Sequence, residues 1–127
     1  YRLGEQVELW CASVIPDGDG LNVQLFWHTL APLTAEGVQT FVHGIDQVGI
    51  LVGQGDGPLL DGQYQPADWL PGQNLVDHYH VPNGAAIDHL EVGLFVPDGT
   101  RLPVTQDGQP LVDNVIQLPI EDRVCTN

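Results

Sequence analysis

The segment "QPADWLPGQNLVDHYHV" (65–81) brings a tryptophan, a tyrosine, two histidines and two aspartates together in a short stretch of the chain. Trp69 stands before a Pro-Gly turn, where a tryptophan either stacks on a ligand such as a sugar ring or packs beneath its own loop. Tyr64 and Asp68 lie close to it in the sequence. We therefore name Trp69, Tyr64 and Asp68 as candidate ligand-binding residues, although packing of the tryptophan beneath its own loop is the interpretation that we favour.

Two histidines in the same segment raise the question of a metal site. His78 and His80 are two residues apart on a predicted strand, so their side chains share one face. Zinc usually takes three or four protein ligands, and a third histidine would have to approach from elsewhere in the chain. We interpret the pair as residues of a solvent-facing sheet. Asp77 and Tyr79 point to the opposite face and are predicted to help hold the strand in place.

Calcium is the other metal that the sequence brings into question. Asp17 and Asp19 in "DGDG" resemble the start of a calcium loop, but the bidentate glutamate expected at loop position 12 is absent. The segment is better explained as a hairpin turn. Asp56, Asp61 and Asp68 offer a second set of loop carboxylates. We expect no cofactor, with calcium as the open alternative.

Catalytic patterns are missing from the sequence. Ser13 is the only serine, and no G-x-S-x-G, H-E-x-x-H or P-loop pattern occurs. Carboxylate pairs of the kind that glycosidases use arise here simply because acidic residues are abundant. We expect this segment to have no enzymatic activity of its own.

The charge balance excludes several classes of partner. Seventeen acidic residues face three arginines, and there is no lysine. Nucleic acids and anionic membranes require a basic surface, so neither is expected as a partner. No apolar run reaches the 18 or more residues of a membrane span, so we expect no membrane insertion of this segment. Because arginine is rare, Arg101 is expected to have a dedicated partner, and we predict a bidentate contact with Asp77.

Two cysteines lie near opposite ends of the chain. Cys11 and Cys125 form either one disulfide between the first and last strands or two buried thiols. In the chain-entropy model a bridge over so long a loop stabilises by roughly 4–5 kcal/mol. A bridge would favour a location outside the cytoplasm.

The hydrophobic pattern predicts an all-β fold. Apolar and polar residues alternate with a period of two in several short segments. Asp-Gly turns separate these segments at "PDGDG", "PDGT" and "QDGQ". Trp10 and Trp27 lie on predicted strands and are expected in the core. We predict one antiparallel β-sandwich over residues 1–127, jelly-roll or immunoglobulin-like, with about seven to nine strands. The strand segments are 5–14, 21–30, 38–46, 49–54, 75–81, 88–96, 101–104 and 114–120.

The order of several short motifs resembles a known domain family. The motifs are Leu25-Phe26-Trp27, Phe41-Val42-His43, Gly62-Gln63-Tyr64, Trp69-Leu70-Pro71-Gly72, Asp77 with Tyr79, Val92-Gly93-Leu94-Phe95 and Arg101-Leu102-Pro103. Together they look like the C-terminal β-sandwich domain of bacterial multi-pass membrane glycosyltransferases of the protein mannosyltransferase-like class. The resemblance extends over nearly the whole chain.

The resemblance implies an accessory domain outside the cytoplasm, periplasmic or at the cell surface, as part of a larger membrane protein. The catalytic carboxylates of such transferases belong to the membrane portion, and no residue here corresponds to them. The expected partners are a glycan or the neighbouring membrane domain. Two alternatives stay open: a carbohydrate-binding module of a secreted protein, and a purely structural interaction domain of the cell envelope.

Overall fold

The fold is a β-sandwich of two antiparallel sheets, as the sequence predicts. The computed structural model describes residues 1–120. Seven strands have four or more residues, and four shorter strands extend the sheets. The strands are β1 (Arg2–Leu3), β2 (Val7–Asp17), β3 (Gly20–Thr29), β4 (Gln39–Ile45), β5 (Leu51–Gln54), β6 (Gly57–Pro58), β7 (Asn74–Val81), β8 (His89–Phe95), β9 (Val104–Gln106), β10 (Gln109–Pro110) and β11 (Ile116–Pro119).

The larger sheet has six strands in the order β10-β9-β1-β2-β3-β7. Its centre is the β2–β3 hairpin, in which Asp17 is paired with Gly20 across the predicted "PDGDG" turn. The β9–β10 hairpin closes at the "QDGQ" turn, where Asp107 and Gly108 both have positive φ. Positive φ at both central residues is the geometry that tight hairpins require, and Asp-Gly supplies it.

The smaller sheet runs β11-β8-β4-β5, and β6 pairs with β4 beyond the end of β5. The turn between β4 and β5 has the sequence "DQVG" (46–49), and in it the Asp46 carboxylate accepts hydrogen bonds from the backbone N–H groups of Val48 and Ile50. The connections between strands contain short 3₁₀ turns at Leu59–Gly62, Pro66–Asp68, Gly84–Ala86 and Val112–Asn114.

The core lies between the two sheets and follows the predicted alternation. In β3, Leu21, Val23, Leu25 and Trp27 are buried, whereas the residues between them face outward. Leu90, Val92 and Leu94 of β8 meet them from the other sheet. Because each strand buries one side chain in two, the six-stranded sheet keeps a complete outer face for contact with solvent.

Strand β2 contains a β-bulge that changes the direction of its side chains. Leu9 pairs with Trp27 and Cys11 pairs with Phe26, which leaves Trp10 as the extra residue. Val7 and Leu9 are buried before the bulge, and Ala12 and Val14 are buried after it. A bulge inserts one residue without a partner and shifts the alternation by one position. Trp10 is thereby turned to the outer face, and its predicted place in the core is wrong.

Candidate functional site

Trp69 is fully buried, with 0% of its surface exposed, and belongs to the hydrophobic core. The loop around it is tied to the rest of the sandwich through the backbone: Leu33 N–H donates to Pro66, and Gly72 N–H donates to Thr29. Trp69 packs beneath its own loop, where a sugar has no access to either face of the indole. Packing of Trp69, the interpretation that the sequence favoured, therefore holds, and the alternative of an exposed ligand platform does not.

Tyr64 and Asp68 serve the same loop. The Tyr64 hydroxyl donates to Gln73 Oε1 at 2.8 Å and to the Asp68 carbonyl at 3.2 Å. Gln73 Oε1 also accepts the backbone N–H of Leu70. The polar atom of Tyr64 is thus used to shape the loop. The carboxylate of Asp68 is exposed, but the aromatic partner predicted for it at Trp69 lies inside the core.

The carboxylates and histidines considered for metal binding are dispersed. Within residues 1–120, no group of three or more histidine, cysteine, aspartate or glutamate side chains is arranged to hold a metal ion. Asp17 instead accepts a hydrogen bond from Asn22, and Asp56 binds Val42 N–H and the Gln54 amide. Asp61 lies in a 3₁₀ turn at positive φ, while Asp19 stands in the β2–β3 turn.

His78 and His80 occupy the outer face of the six-stranded sheet, as predicted. His78 Nε2 lies 3.1 Å from the Gln24 amide nitrogen, and His80 packs against the backbone at Gly20. Each ring is therefore placed by a neighbour on β3. Neither ring approaches a third ligand among the described residues.

Asp77 and Tyr79 form a polar pair on the inward side of β7, between the sheets, where Asp77 is buried and Tyr79 is partly buried. Tyr79 O–H donates to Asp77 Oδ2 at 2.6 Å, while Asp77 Oδ1 accepts Leu60 N–H at 3.2 Å and His78 N–H at 3.1 Å. Burial raises the pKa of Asp77, and hydrogen bonds, first of all the one from Tyr79, partly offset this rise. The pKa of Tyr79 is raised, mainly by burial and secondly by the charge of Asp77. The Leu60 bond holds a turn in which Leu60 has positive φ.

Arg101 has a different partner from the one predicted. Its guanidinium carbon lies 4.5 Å from the centre of the Phe41 ring, and Nη1 donates to the Asp113 carbonyl at 3.0 Å. Arg101 bridges to Phe95 at the end of β8 in the five-stranded sheet, whereas Asp77 lies on β7 of the other sheet. The bidentate Arg101–Asp77 contact is therefore wrong. A cation–π contact and a backbone acceptor take its place.

Cys11 follows the bulge in β2 and carries no free thiol. Its predicted partner, Cys125, lies outside the described residues. The Cys11–Cys125 disulfide therefore stays a prediction.

Of the three tryptophans, Trp10 is the one that the structure presents to solvent. It is 54% exposed on the outer face of the six-stranded sheet. The His28 ring stacks against it with centroids 4.1 Å apart and planes 15° from parallel. The indole N–H donates to Glu8 Oε1 at 3.1 Å. The imidazole covers one face of the indole, and about half of the tryptophan surface is open to solvent.

The neighbours of Trp10 hold it in this orientation. Glu8 Oε2 accepts Arg2 Nη2 at 3.3 Å, and His28 Nδ1 lies 2.8 Å from Asn74 Oδ1. The pKa of Glu8 is lowered, first by the hydrogen bond from Trp10 and then by Arg2, so that the carboxylate is charged. A chain of contacts thus runs across four strands, from β1 to β7.

The register places an apolar row next to this polar row. Cys11 faces Phe26, which in turn faces Val76 on β7, and Val76 is 45% exposed. On the far side of the apolar row, Gln24 faces His78. We call the outer surface formed by Glu8, Trp10, Gln24, Phe26, His28, Asn74, Val76 and His78 the Trp10 face.

The alternation of β2 contains a signal that identifies Trp10. Val7 and Leu9 occupy odd positions, whereas Ala12 and Val14 occupy even positions. An uninterrupted strand cannot bury both pairs on one face, so the change of phase requires a bulge between Leu9 and Ala12. The tryptophan at the change of phase is then the residue turned outward.

No family model, no curated protein and no solved structure matches the chain. In residues 1–120 no helix is long and apolar enough to cross a membrane.

Proposed function

We propose that this chain is a non-catalytic binding domain outside the cytoplasm, attached to a bacterial membrane glycosyltransferase, and that it binds glycan on the Trp10 face. The observation that carries the proposal is a large aromatic side chain that is half exposed and yet held by its neighbours. His28 stacks on one face of Trp10, and Glu8 accepts its N–H.

An immobilised, exposed tryptophan is well suited to a sugar. The ring offers an apolar surface to the C–H face of a pyranose, and its neighbours offer hydrogen-bond donors and acceptors to the hydroxyl groups. Because Trp10 is already oriented by two contacts, little side-chain entropy is lost when a ligand stacks on it. Glu8 and Asn74 lie at the edge of the ring system and supply the polar groups.

The attachment to a glycosyltransferase and the location rest on different support. The order of the motifs from Leu25-Phe26-Trp27 to Arg101-Leu102-Pro103 supports the first. The state of Cys11, which carries no free thiol, supports an oxidising compartment. Sequencing of the complete gene tests the attachment. Many upstream hydrophobic spans are expected, and a secretion signal alone would instead indicate a module of a secreted protein.

Fluorescence is a direct test of glycan binding, because Trp27 and Trp69 are buried and Trp10 is exposed. Wild-type protein and Trp10→Ala are screened on a glycan array, and hits are titrated while acrylamide quenching of tryptophan is measured. Bound sugar is expected to protect the wild type from quenching. Val112→Ala, which truncates an apolar side chain that is 82% exposed elsewhere, is the matched control and should bind as the wild type does. Silence of the wild type across the array contradicts the proposal.

A second candidate function, contact with a neighbouring domain, is favoured by a separate feature. An apolar cleft of about 680 Å³ lies between the β2–β3 turn and the 84–86 turn, with Leu21, Val52 and Ala86 among its lining residues. The β4–β5 turn near it exposes Val48 and Ile50. If this end of the sandwich is the functional surface, Ile50→Ser weakens association with the rest of the parent protein and Trp10→Ala leaves it unchanged.

A further inference from the structure

The Trp10 face has a definite length and charge, and both restrict the glycan. We infer that it binds a neutral glycan across the strands, with one pyranose ring on Trp10 and the next ring toward Val76. This inference rests on the proposed function and goes further, because it names the number of sugar rings, their direction and their charge.

The length comes from the apolar row. Cys11 of β2, Phe26 of β3 and Val76 of β7 form this row, and Trp10 stands beside Cys11 at its β2 end. Trp10 is 54% exposed and Val76 is 45% exposed. Neighbouring strands are about 4.8 Å apart, so two strand spacings give about 10 Å. This span is longer than one pyranose ring and is close to that of two linked rings.

The direction comes from the polar groups on either side of the apolar row. Glu8, His28 and Asn74 lie along one side, and Gln24 and His78 lie along the other. A glycan that runs across the strands places its C–H faces on the apolar row. Its equatorial hydroxyl groups then project toward both polar rows. A glycan that runs along a strand would instead place alternate rings on polar side chains.

The charge comes from the acidic surface. Glu8 is an ionised carboxylate at the edge of the indole, and Arg2, the base beside it, is already engaged by Glu8. The whole chain has a formal net charge of −14. A uronic acid on Trp10 would therefore be repelled at short range, where salt screens least. Neutral sugars meet no such penalty.

The experiment compares defined sugars by titration, with tryptophan emission as the readout. The probes are the methyl glycosides of glucose, mannose, galactose and N-acetylglucosamine, the corresponding di- and trisaccharides, and oligogalacturonides as the acidic series. For at least one neutral series, the disaccharide is expected to bind about tenfold more tightly than the methyl glycoside. A third ring should add little, because the apolar row ends at Val76.

Two variants test the assignment of the sites. Val76→Ala is expected to lower the affinity for the disaccharide toward that for the methyl glycoside. The affinity for the methyl glycoside itself should not change. Glu8→Gln keeps an acceptor for the indole N–H but removes the charge, so the oligogalacturonides should gain affinity relative to the neutral sugars. Circular dichroism and thermal melting verify that each variant folds.

The outcomes separate the inference from the proposed function. Equal affinity for methyl glycoside and disaccharide at Trp10 overturns the cross-strand site but leaves glycan binding standing. Oligogalacturonides that bind as tightly as neutral sugars overturn the selection by charge. If no sugar binds while tetramethylammonium quenches Trp10, the face recognises cations and both proposals fail.

Discussion

Replacement of Asp77 by asparagine tests whether burial or hydrogen bonding dominates the polar pair between the sheets. The carboxylate accepts hydrogen bonds from Leu60 N–H, His78 N–H and Tyr79 O–H. An asparagine retains an oxygen for the two backbone donors, and its amide can donate to the Tyr79 oxygen. Removal of the side chain in Asp77→Ala leaves all three donors without this acceptor.

The magnitudes follow from these contacts. A buried donor without a partner costs about 1–3 kcal/mol, and Tyr79 has a second acceptor at the Pro58 carbonyl, 3.4 Å away. Asp77→Ala is therefore expected to lower the free energy of unfolding by about 3–5 kcal/mol. Asp77→Asn removes a charge-assisted hydrogen bond, which destabilises the fold, but it also removes a buried charge, which stabilises it. We expect it to lie within about 1 kcal/mol of the wild type at pH 7.

The pH dependence gives the sharper result. The pKa of Asp77 is raised in the folded protein, so the folded state binds the proton more tightly than the unfolded chain does. The stability contributed by that proton is complete below the ordinary value of 3.8 and is lost as the pH rises through the folded-state pKa. Asp77→Asn has no proton to lose. Its stability relative to the wild type is therefore expected to increase from acidic to neutral pH, by about 1.4 kcal/mol for each unit of difference in pKa.

The assay is urea denaturation followed by circular dichroism at several pH values. Asp68→Asn makes the same change of net charge at an exposed carboxylate, and its difference from the wild type is subtracted as the contribution of charge alone. If Asp77→Asn instead loses stability relative to the wild type as the pH rises, hydrogen bonding outweighs burial and the reasoning is refuted.

Two further predictions concern the other side chains that the structure reassigns. Trp69→Ala should lower the free energy of unfolding by about 3–5 kcal/mol, and Trp69→Phe by less, because Phe keeps a ring and removes an indole N–H that has no partner among the described residues. Urea melts of the two variants measure this, and an effect of Trp69→Ala within about 0.5 kcal/mol would mean that the residue is not core. Arg101→Gln should cost about 1 kcal/mol through loss of the contact with Phe41. In a double-mutant cycle with Asp77→Asn the coupling should be near zero, whereas a coupling above about 1 kcal/mol would restore the Arg101–Asp77 contact.

The fold was predictable because its determinants are local. The alternation in β3 assigned Leu21, Val23, Leu25 and Trp27 to one face, and the Asp-Gly turn at 17–20 closed the hairpin in the predicted place. Side-chain period and turn chemistry depend only on residues close together in the chain. These were enough to predict a sandwich, although the very short strands at its edges gave no pattern of their own.

The site was harder to predict because it depends on the relation between strands. Whether Trp69 is exposed depends on contacts of its loop with β3 and with the segment around Leu33, which are far from it in sequence. The partner of Arg101 likewise depends on which sheet each residue joins. Rarity of arginine indicated that a partner exists, but the topology decided that it is Phe41.

The bulge at Trp10 accounts for a stable strand and for an exposed aromatic at the same time. With regular pairing, β2 could bury either Val7 and Leu9 or Ala12 and Val14, and the other pair would face water. One extra residue lets all four enter the core, where they are at most 4% exposed. The extra residue must then lie outside the core, and a small polar residue there would satisfy the geometry equally well. A tryptophan at that position, stacked on His28 and bonded to Glu8, is not required by the packing of the core. The glycan-binding role that we propose for the Trp10 face would account for a tryptophan at this position.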